Sequence, residues 1–374
     1  TYKKKFFLNF FKNIKKLNSQ KVDYFIADRY LNFSDIIEVY SKSIFYLFKV
    51  IFYSGNKNKN FYINNRDCFN VLYPHLLKSF AGNIQFYLLQ SLAIKNFFNY
   101  TEARYFINYG EFSPGYKSIY FFLKKLEFPL KIITIQHSYA NKNLLFFRND
   151  KKEFMSNSKK LNISPMPDKY LVMGNHFKSI LKEFFPGKIE IIGSLKYDVN
   201  YFNFKNKNKK KNKSNSGNKF KILICPTIGD EDSLISVINK SKLNNASFIL
   251  SPHPNNFEQT LKKFKINFKY QFTSDKNKSS IEQLKNADLT ICGFSSLVLE
   301  SIILGVPAFR VISEDHPYFF DLNDGIDFAN GHSDFKKVFN KLLSNKQKKN
   351  DRITKNIFYI LDKKTYKRFW KNIN

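Results

Sequence analysis

Cysteine is scarce in this sequence: Cys68, Cys225 and Cys292 are the three in 374 residues. So few exclude a disulfide scaffold. They form no C-x-x-C pair, which excludes a zinc ribbon, and a reducing compartment is the expectation. Long apolar runs are missing too. The longest, Ile44 to Tyr53, is broken by Lys49 and falls short of the ~20 residues of a membrane-spanning helix. The sequence has no G-x-x-x-x-G-K-S/T loop and no G-x-G-x-x-G fingerprint, so ATPase and simple dehydrogenase readings have no support. No G-x-S-x-G elbow marks a hydrolase, and nothing repeats at solenoid or propeller periods. Acidic residues are few: 30 Asp and Glu stand against 62 Lys and Arg, a formal net charge of +32. Such an excess attracts nucleic acid, anionic lipid or acidic glycan. The wealth of Lys, Asn, Ile, Phe and Tyr also matches A/T-rich codons, which would explain the excess without any partner.

What is present is core-forming material. Hydrophobic residues make up 43% of the chain, and the length suits about two domains. One boundary stands out. Residues Asn203 to Lys219 read NFKNKNKKKNKSNSGNK, almost without apolar side chains and without an acid, as a solvated linker does. The expected organisation is an α/β domain over residues 1–202, the linker over 203–219, a second α/β domain over 220–345, and a helical tail over 346–374 that packs back on the first domain. Short apolar segments predict strands at Val22–Ala27, Tyr105–Asn108, Lys131–Gln136, Lys169–Met173, Ile189–Ile192, Lys221–Cys225, Ser247–Ser251, Ala287–Cys292 and Pro307–Val311. Helical patterns fall between them at His176–Phe185, Ile281–Asn286 and Ser296–Leu304. Strand–helix alternation of this kind predicts two doubly wound parallel sheets. The first hundred residues are more helical and aromatic.

In open parallel sheets, ligands bind outside the carboxyl ends of strands. The richest such segment is ADLTICGFSSLVLESIILGVPAF, residues 287–309. A strand runs into Gly293-Phe294-Ser295-Ser296, and a helix follows. A glycine turn, two hydroxyls and the free N–H groups of a helix start favour an anion such as phosphate. Glu300, one turn in, suits ribose hydroxyls. A serine that only caps the helix is the plainer alternative. In SFILSPHP, Pro252 and Pro254 hold His253 at a strand end, where an imidazole can donate to phosphate. In KIITIQHS, the strand ends in Gln136, His137 and Ser138, all able to bond a sugar or phosphate; anchoring a loop is the alternative. In YFINYGEFS, Glu111 follows a short strand, where a carboxylate with a raised pKa can act as a base. Asp230, Glu231 and Asp232 suit a loop or helix start better than a metal, and no metal cluster is apparent. Cys225 and Cys292 read as inert core residues.

These segments, in this order, resemble the GT-B class of glycosyltransferases. SPHP resembles the His-Pro motif of bacterial sialyl-, polysialyl- and capsule-type transferases, and GFSSLVLESIILGVP their serine motif. Teichoic-acid glycerophosphotransferases share a similar pair. GEFSPGYKS, IQHS, PDKYLVMG and IIGSLKYD, between Tyr105 and Asp198, look like the front half of surface-polysaccharide biosynthesis proteins. The likeness covers about two-thirds of the chain. It implies a GT-B-like fold of two facing Rossmann-type domains with a C-terminal crossover helix, and a metal- and cofactor-independent glycosyltransferase of capsule or lipopolysaccharide assembly. The enzyme would be cytoplasmic, peripheral on the anionic inner membrane face, with a glycan or glycolipid acceptor. His253, Pro254, Gly293, Ser295, Ser296 and Glu300 would hold the nucleotide-sugar donor, a CMP-sugar being favoured. Glu111 and His137 would be catalytic, and Gln136 and Ser138 would contact sugar or acceptor. The family's acidic pair followed by glycine is absent; here the order is Gly110-Glu111. Two rivals stay open. One is a CDP-glycerol-type polyol-phosphate transferase on the same fold. The other is a non-catalytic basic nucleic-acid-binding protein, for which no recognition signature is present, so no nucleic-acid partner is expected.

Overall fold

The computed structural model describes residues 15–16, 18–19, 26–53, 62–63, 66–101, 103–109, 113–136, 165–198, 219–312, 324–344 and 348–373. Contacts divide the chain into two compact units, one built from residues up to Phe106 with Ser113–Lys131, the other chiefly from Ile132 onward.

The first unit is mainly helical. A 3-10 turn, Ala27–Tyr30, leads to α1 (Phe33–Tyr53). A two-residue hairpin follows (β1, Tyr62–Ile63; β2, Arg66–Asp67), then α2 (Phe69–Lys78), a π-helical turn (Ser79–Asn83), α3 (Ile84–Thr101) and α4 (Pro114–Leu123). The strand expected at Val22–Ala27 does not reach its last residue: Ala27 opens the 3-10 turn, and residues 22–25 lie outside the described part. The core is the α3–α4 seam, with Ala93, Ile94, Phe98, Ile119, Tyr120 and Leu123 buried. Ser91 Oγ donates to Ser118 Oγ at 2.9 Å across it. Asn96 Nδ2 ties α3 to the chain entering α1, donating to Tyr30 O at 2.8 Å and Asp35 Oδ2 at 3.0 Å.

The second unit contains two sheets. The smaller runs β3 (Tyr105–Asn108), β4 (Lys131–Ile135), β5 (Lys169–Val172), β6 (Lys188–Ile191), in that spatial order, with α5 (Asn175–Leu181) between the last two in sequence. Strands β4, β5 and β6 are parallel, with Ile135 opposite Leu171 and Val172 opposite Ile191. The larger sheet is built from β7 (Phe220–Cys225), α6 (Glu231–Lys240), β8 (Ala246–Leu250), α7 (Phe257–Asn267), β9 (Phe272–Thr273), α8 (Ser280–Leu284), β10 (Leu289–Cys292), α9 (Leu297–Ile303), β11 (Ala308–Val311), β12 (Phe328–Ala329) and α10 (Gly331–Ser344). Its order is β12-β11-β10-β7-β8-β9, every neighbouring pair parallel. Parallel strands buried on both faces need near-continuous apolar runs, and FKILIC and LTIC supply them: Ile222 through Cys225 and Leu289 through Cys292 are buried. Phe248, Phe264, Phe309 and Phe335 complete this core.

The chain then returns to the smaller sheet through α11 (Lys348–Phe358) and α12 (Thr365–Ile373). Buried Asp198, just past β6, accepts from Lys363 N at 2.8 Å and Thr365 N at 3.1 Å, so a carboxylate satisfies orphan donors at the start of α12. Arg368 Nε donates to Ile192 O at 2.7 Å, and the Phe358 ring meets Tyr197 edge-on at 5.0 Å. Gly174 is required there: a Cβ would lie 2.3 Å from Ile357 O. The Lys/Asn-rich run at 203–218 lies outside the described residues.

Candidate active site

In the larger sheet the strand order reverses between β7 and β10. From β7 the chain proceeds outward to β8 and β9, then crosses back to β10 on the other side. The crevice at the carboxyl ends of two such strands is where open α/β sheets place ligands. Here Cys225 and Cys292 stand in register as the last residues of β7 and β10. Both thiols are buried, and burial, with the neighbouring Cys292 adding, pushes Cys225 well above the usual thiol range. They are inert packing at the base of the crevice.

Above them lies the bend from Gly293 to Ser296. It is pinned by Asp230, a residue the sequence reading placed at a loop or helix start. Asp230 is fully buried. Its Oδ2 accepts from Phe294 N at 2.7 Å and Thr227 Oγ1 at 2.6 Å, and its Oδ1 from Thr227 N at 2.8 Å. Burial raises its carboxyl from the ordinary 3.8 to about 6, despite these hydrogen bonds and with the charge of Glu231 adding to the rise. The approach is so close that a Cβ on Gly293 would sit 2.0 Å from Asp230 Oδ2. Glycine is therefore required by the carboxylate behind it. Ser295 Oγ accepts from Leu297 N at 3.3 Å, and the Ser296 side chain makes no cap bond. Both serines are partly exposed.

The second segment is Ser251-Pro252-His253-Pro254, after β8. Ser251 is buried; its N donates to Ile224 O at 2.9 Å, and its hydroxyl meets Ser280 Oγ at 3.0 Å. His253 is exposed, with Pro254 opening a 3-10 turn behind it. Its Nδ1 accepts from Asn255 N at 3.3 Å, which places the proton of the neutral ring on Nε2, facing outward as a donor. Because β8 and β10 flank β7, the two segments start about 10 Å apart, two strand spacings.

Glu231, next to Asp230, braces the histidine segment. It is buried, its Oε2 accepts from Gly229 N at 2.9 Å, and its Oε1 from Thr260 Oγ1 at 3.0 Å and Asn256 Nδ2 at 3.3 Å. Adjacent carboxylates at the start of α6 thus hold both polar segments. Asp232 is apart from them, exposed and paired with Lys263 at 2.6 Å. Among the described residues, no group of three or more His, Cys, Asp or Glu side chains is placed to hold a metal.

The smaller sheet contributes from the end of β6. Lys196 Nζ donates to Glu300 Oε1 at 2.6 Å, joining the carboxyl ends of β6 and β10. Glu300 is buried, while Lys196 is half exposed. Beside the pair, burial pushes the Tyr197 hydroxyl well above the phenol range, the charge of Glu300 adds to the rise, and a hydrogen bond with Ser296 opposes it. Neither Lys196 nor Tyr197 was singled out from sequence; the signal available was their place in IIGSLKYD, directly after a strand. Gln136 is buried and its Oε1 accepts from Met173 N at 3.0 Å, so its carbonyl ties the ends of β4 and β5 together. Glu111, His137 and Ser138 lie outside the described residues.

No protein-family model and no curated protein matches the chain. Solved structures do. One is the Staphylococcus aureus MnaA–UDP co-structure, with a TM-score of 0.50 and 8% identity over 77% of this chain and 79% of that one. A putative UDP-N-acetylglucosamine 2-epimerase from Listeria monocytogenes gives 0.49 and 13% over 76% and 77%. The wall teichoic acid polymerase TagF, in one variant, gives 0.45 and 16% over 73% of each chain. The fold is thus GT-B-like: two Rossmann-type parallel sheets with a helix returning from the chain end to the first.

Proposed function

We propose that this chain is a nucleotide-donor transferase of the GT-B type, a glycosyltransferase of surface-polysaccharide assembly that moves a sugar from a nucleotide-activated donor to a glycan or glycolipid acceptor. One observation carries the reading. At the topological switch point of a six-stranded parallel sheet, two donor segments, His253 and the Gly293–Ser296 bend, are braced side by side by Asp230 and Glu231. A built pair of hydrogen-bond donors at that place fits a phosphate better than a neutral ligand. The neighbour with a TM-score of 0.50 was solved with UDP, in agreement with this reading.

The chemistry follows from the groups. As the bond from the anomeric carbon to the phosphate oxygen breaks, negative charge grows on the leaving nucleotide. The His253 Nε2–H, the hydroxyls of Ser295 and Ser296, and backbone N–H groups of the bend stabilise it without rearranging. Glu300, paired with Lys196, accepts from a ribose hydroxyl. Glu111 takes the acceptor hydroxyl's proton as the new glycosidic bond forms. The donor proposed is a CMP-sugar.

Calorimetric titration of CMP, CDP, UMP and UDP tests the donor site, with tighter binding of the cytidine nucleotides expected. Affinity unchanged by His253→Ala and by Ser295→Ala/Ser296→Ala contradicts it. Turnover with CMP-sugars, UDP-sugars and CDP-glycerol then separates glycosyl from polyol-phosphate transfer. Glu111→Ala should abolish turnover and leave donor affinity intact; a fully active variant removes Glu111 as the base.

A further inference from the structure

The larger sheet carries a feature that donor chemistry does not use. Parallel sheets are normally covered on both faces. On one face of β7 and β8, Ile222, Ile224, Phe248 and Leu250 pack into the core with Leu234 of α6 and Phe264 of α7. On the other face Lys221 stands opposite Ser247, and Ile249 opposite Thr273. None of these four is buried. The helix that follows β9, α8, has five residues and leaves this corner of the sheet bare. A groove of about 980 Å³ lies there. It opens beside Lys219, Lys221 and Ala246, at the amino ends of β7 and β8, the length of a strand away from the crevice of the candidate active site.

Its walls define the ligand. Lys219, Lys221, Lys269 and Lys278 line it against one carboxylate, Asp275, which Lys278 already pairs with at 3.0 Å. That excess of positive charge attracts an anion. Gln283 adds a second, uncharged demand. It is 5% exposed, and its Nε2 donates to Lys278 O at 3.1 Å and Asp275 O at 3.4 Å. Those bonds fix the amide and leave Oε1 a buried acceptor without a partner, and Ser274 Oγ in the same lining is buried and unpartnered too. Buried polar atoms are normally bonded, and an orphan acceptor calls for an O–H or N–H from outside. Asn244 and Gln271 add exposed amides, which suit hydroxyls. The rings in the lining do not suit bases: Tyr270 packs on Phe248 at 4.9 Å, and Phe272 on Phe264 at 6.1 Å and Phe268 at 6.0 Å, whereas base stacking needs open ring faces. The volume stands at the upper end of small-ligand pockets, roughly 300–1,000 Å³, as several linked units require.

We propose that this groove binds a segment of an anionic glycan, a chain of hydroxyl-rich units carrying carboxylate or phosphodiester groups. The lysines take the charges, and hydroxyls of the chain complete the bonding of Gln283 Oε1 and Ser274 Oγ. The inference goes beyond the proposed reaction, because the lining includes none of the donor segments. A chain held here stays with the protein independently of the reaction centre, which raises the local concentration of its ends.

The test uses the full chain without any donor, so its failure is separate from failure of the transferase reading. Fluorescence polarisation is read with four labelled probes of similar length: oligogalacturonate for carboxylates, oligo(glycerol phosphate) for phosphodiesters, dextran as the neutral glycan, and oligothymidylate. At least one of the two anionic probes should bind and dextran should not; which of the two binds identifies the anion. Because the whole chain is basic, charge is controlled by two variants that each remove two lysines. Lys221→Gln/Lys269→Gln in the groove should weaken binding about tenfold, and Lys336→Gln/Lys337→Gln, exposed on α10 and outside the groove, less than about twofold. Ser274→Ala, which leaves the charge untouched, should weaken binding about threefold with an unchanged melting temperature, since its hydroxyl has no partner to lose. Nucleotide affinity should be the same in all three variants. Equal losses from the two lysine pairs, or full affinity in Ser274→Ala, overturn the proposal. So do failure of both anionic glycan probes to bind, and oligothymidylate that binds more tightly than either and is weakened more by the groove pair.

Discussion

The ends of β8 and β10 invite comparison. Both present polar groups at the same edge of one sheet, two strands apart, and both lean on the start of α6. They are held in opposite ways. At β10 the backbone is buried and locked: Asp230 takes the Phe294 N–H at 2.7 Å and leaves no room for a Cβ at Gly293. At β8 the functional side chain is exposed, and only the turn behind it is tied, through Asn256 to Glu231 at 3.3 Å. A bend fixed by that bond holds the groups beyond Phe294 in place, so they need no reorganisation when charge develops. An exposed imidazole costs little to fold around and keeps its free proton for a ligand. The two ends should therefore separate in experiment: damage at β10 harms fold and binding together, damage at β8 harms binding alone.

The largest effect is expected at the pinned end. Gly293→Ala should cost about 3 kcal/mol of stability through overpacking against a buried carboxylate and lower nucleotide affinity at least tenfold, by denaturant unfolding and calorimetry. The sharper form is a cycle: in an Asp230→Ala background the same change should cost far less. Equal losses in both backgrounds would break the assignment of Asp230 as the clamp.

Next comes acidity. The folded carboxyl of Asp230 titrates near 6, above its ordinary 3.8. A raised acid favours the folded state while protonated, so this contribution is complete below about pH 4 and is lost as pH rises through 6. It amounts to at most about 3 kcal/mol. Asp230→Asn should flatten that limb of the stability profile and cost about 1 kcal/mol for a lost acceptor at low pH. A profile of unchanged shape would show that another group carries the titration.

His253→Ala should lower nucleotide affinity about tenfold, as a charge-assisted bond to phosphate warrants, and leave the melting temperature alone. A fall in stability comparable to that of Gly293→Ala would erase the contrast between the two ends. The smallest change is expected at the link to the smaller sheet. With Lys196 half in solvent, Lys196→Met should cost about 1 kcal/mol or less and weaken donor binding modestly by freeing Glu300.

The strands were legible because parallel strands declare themselves as short apolar runs. KIITI, KYLV, FKILIC and LTIC are strands β4, β5, β7 and β10. Strands β9 and β12 were not legible: each has two residues, Phe272–Thr273 and Phe328–Ala329, too few for any period. The glycine-serine bend and His253 were found from residue type and strand ends. Asp230 was not, because acids before a helix suit any helix start, and only the pairing of β7 with β10 brings it to Phe294, 64 positions away. Lys196 meets Glu300 across 104 positions, and no local pattern marks that partnership.

The sequence by itself determined the alternation of strands and helices, the apolar interiors of the sheets, and the polar segments that end β8 and β10, because each depends on neighbours within a few residues. Only the tertiary structure decided that the sheet order reverses between β7 and β10, that Asp230 and Glu231 brace those segments, and that α1 turns an aromatic face to the outside. Those depend on which surfaces meet after the chain has folded back on itself, and a buried carboxylate or a bare ring takes its meaning from that contact.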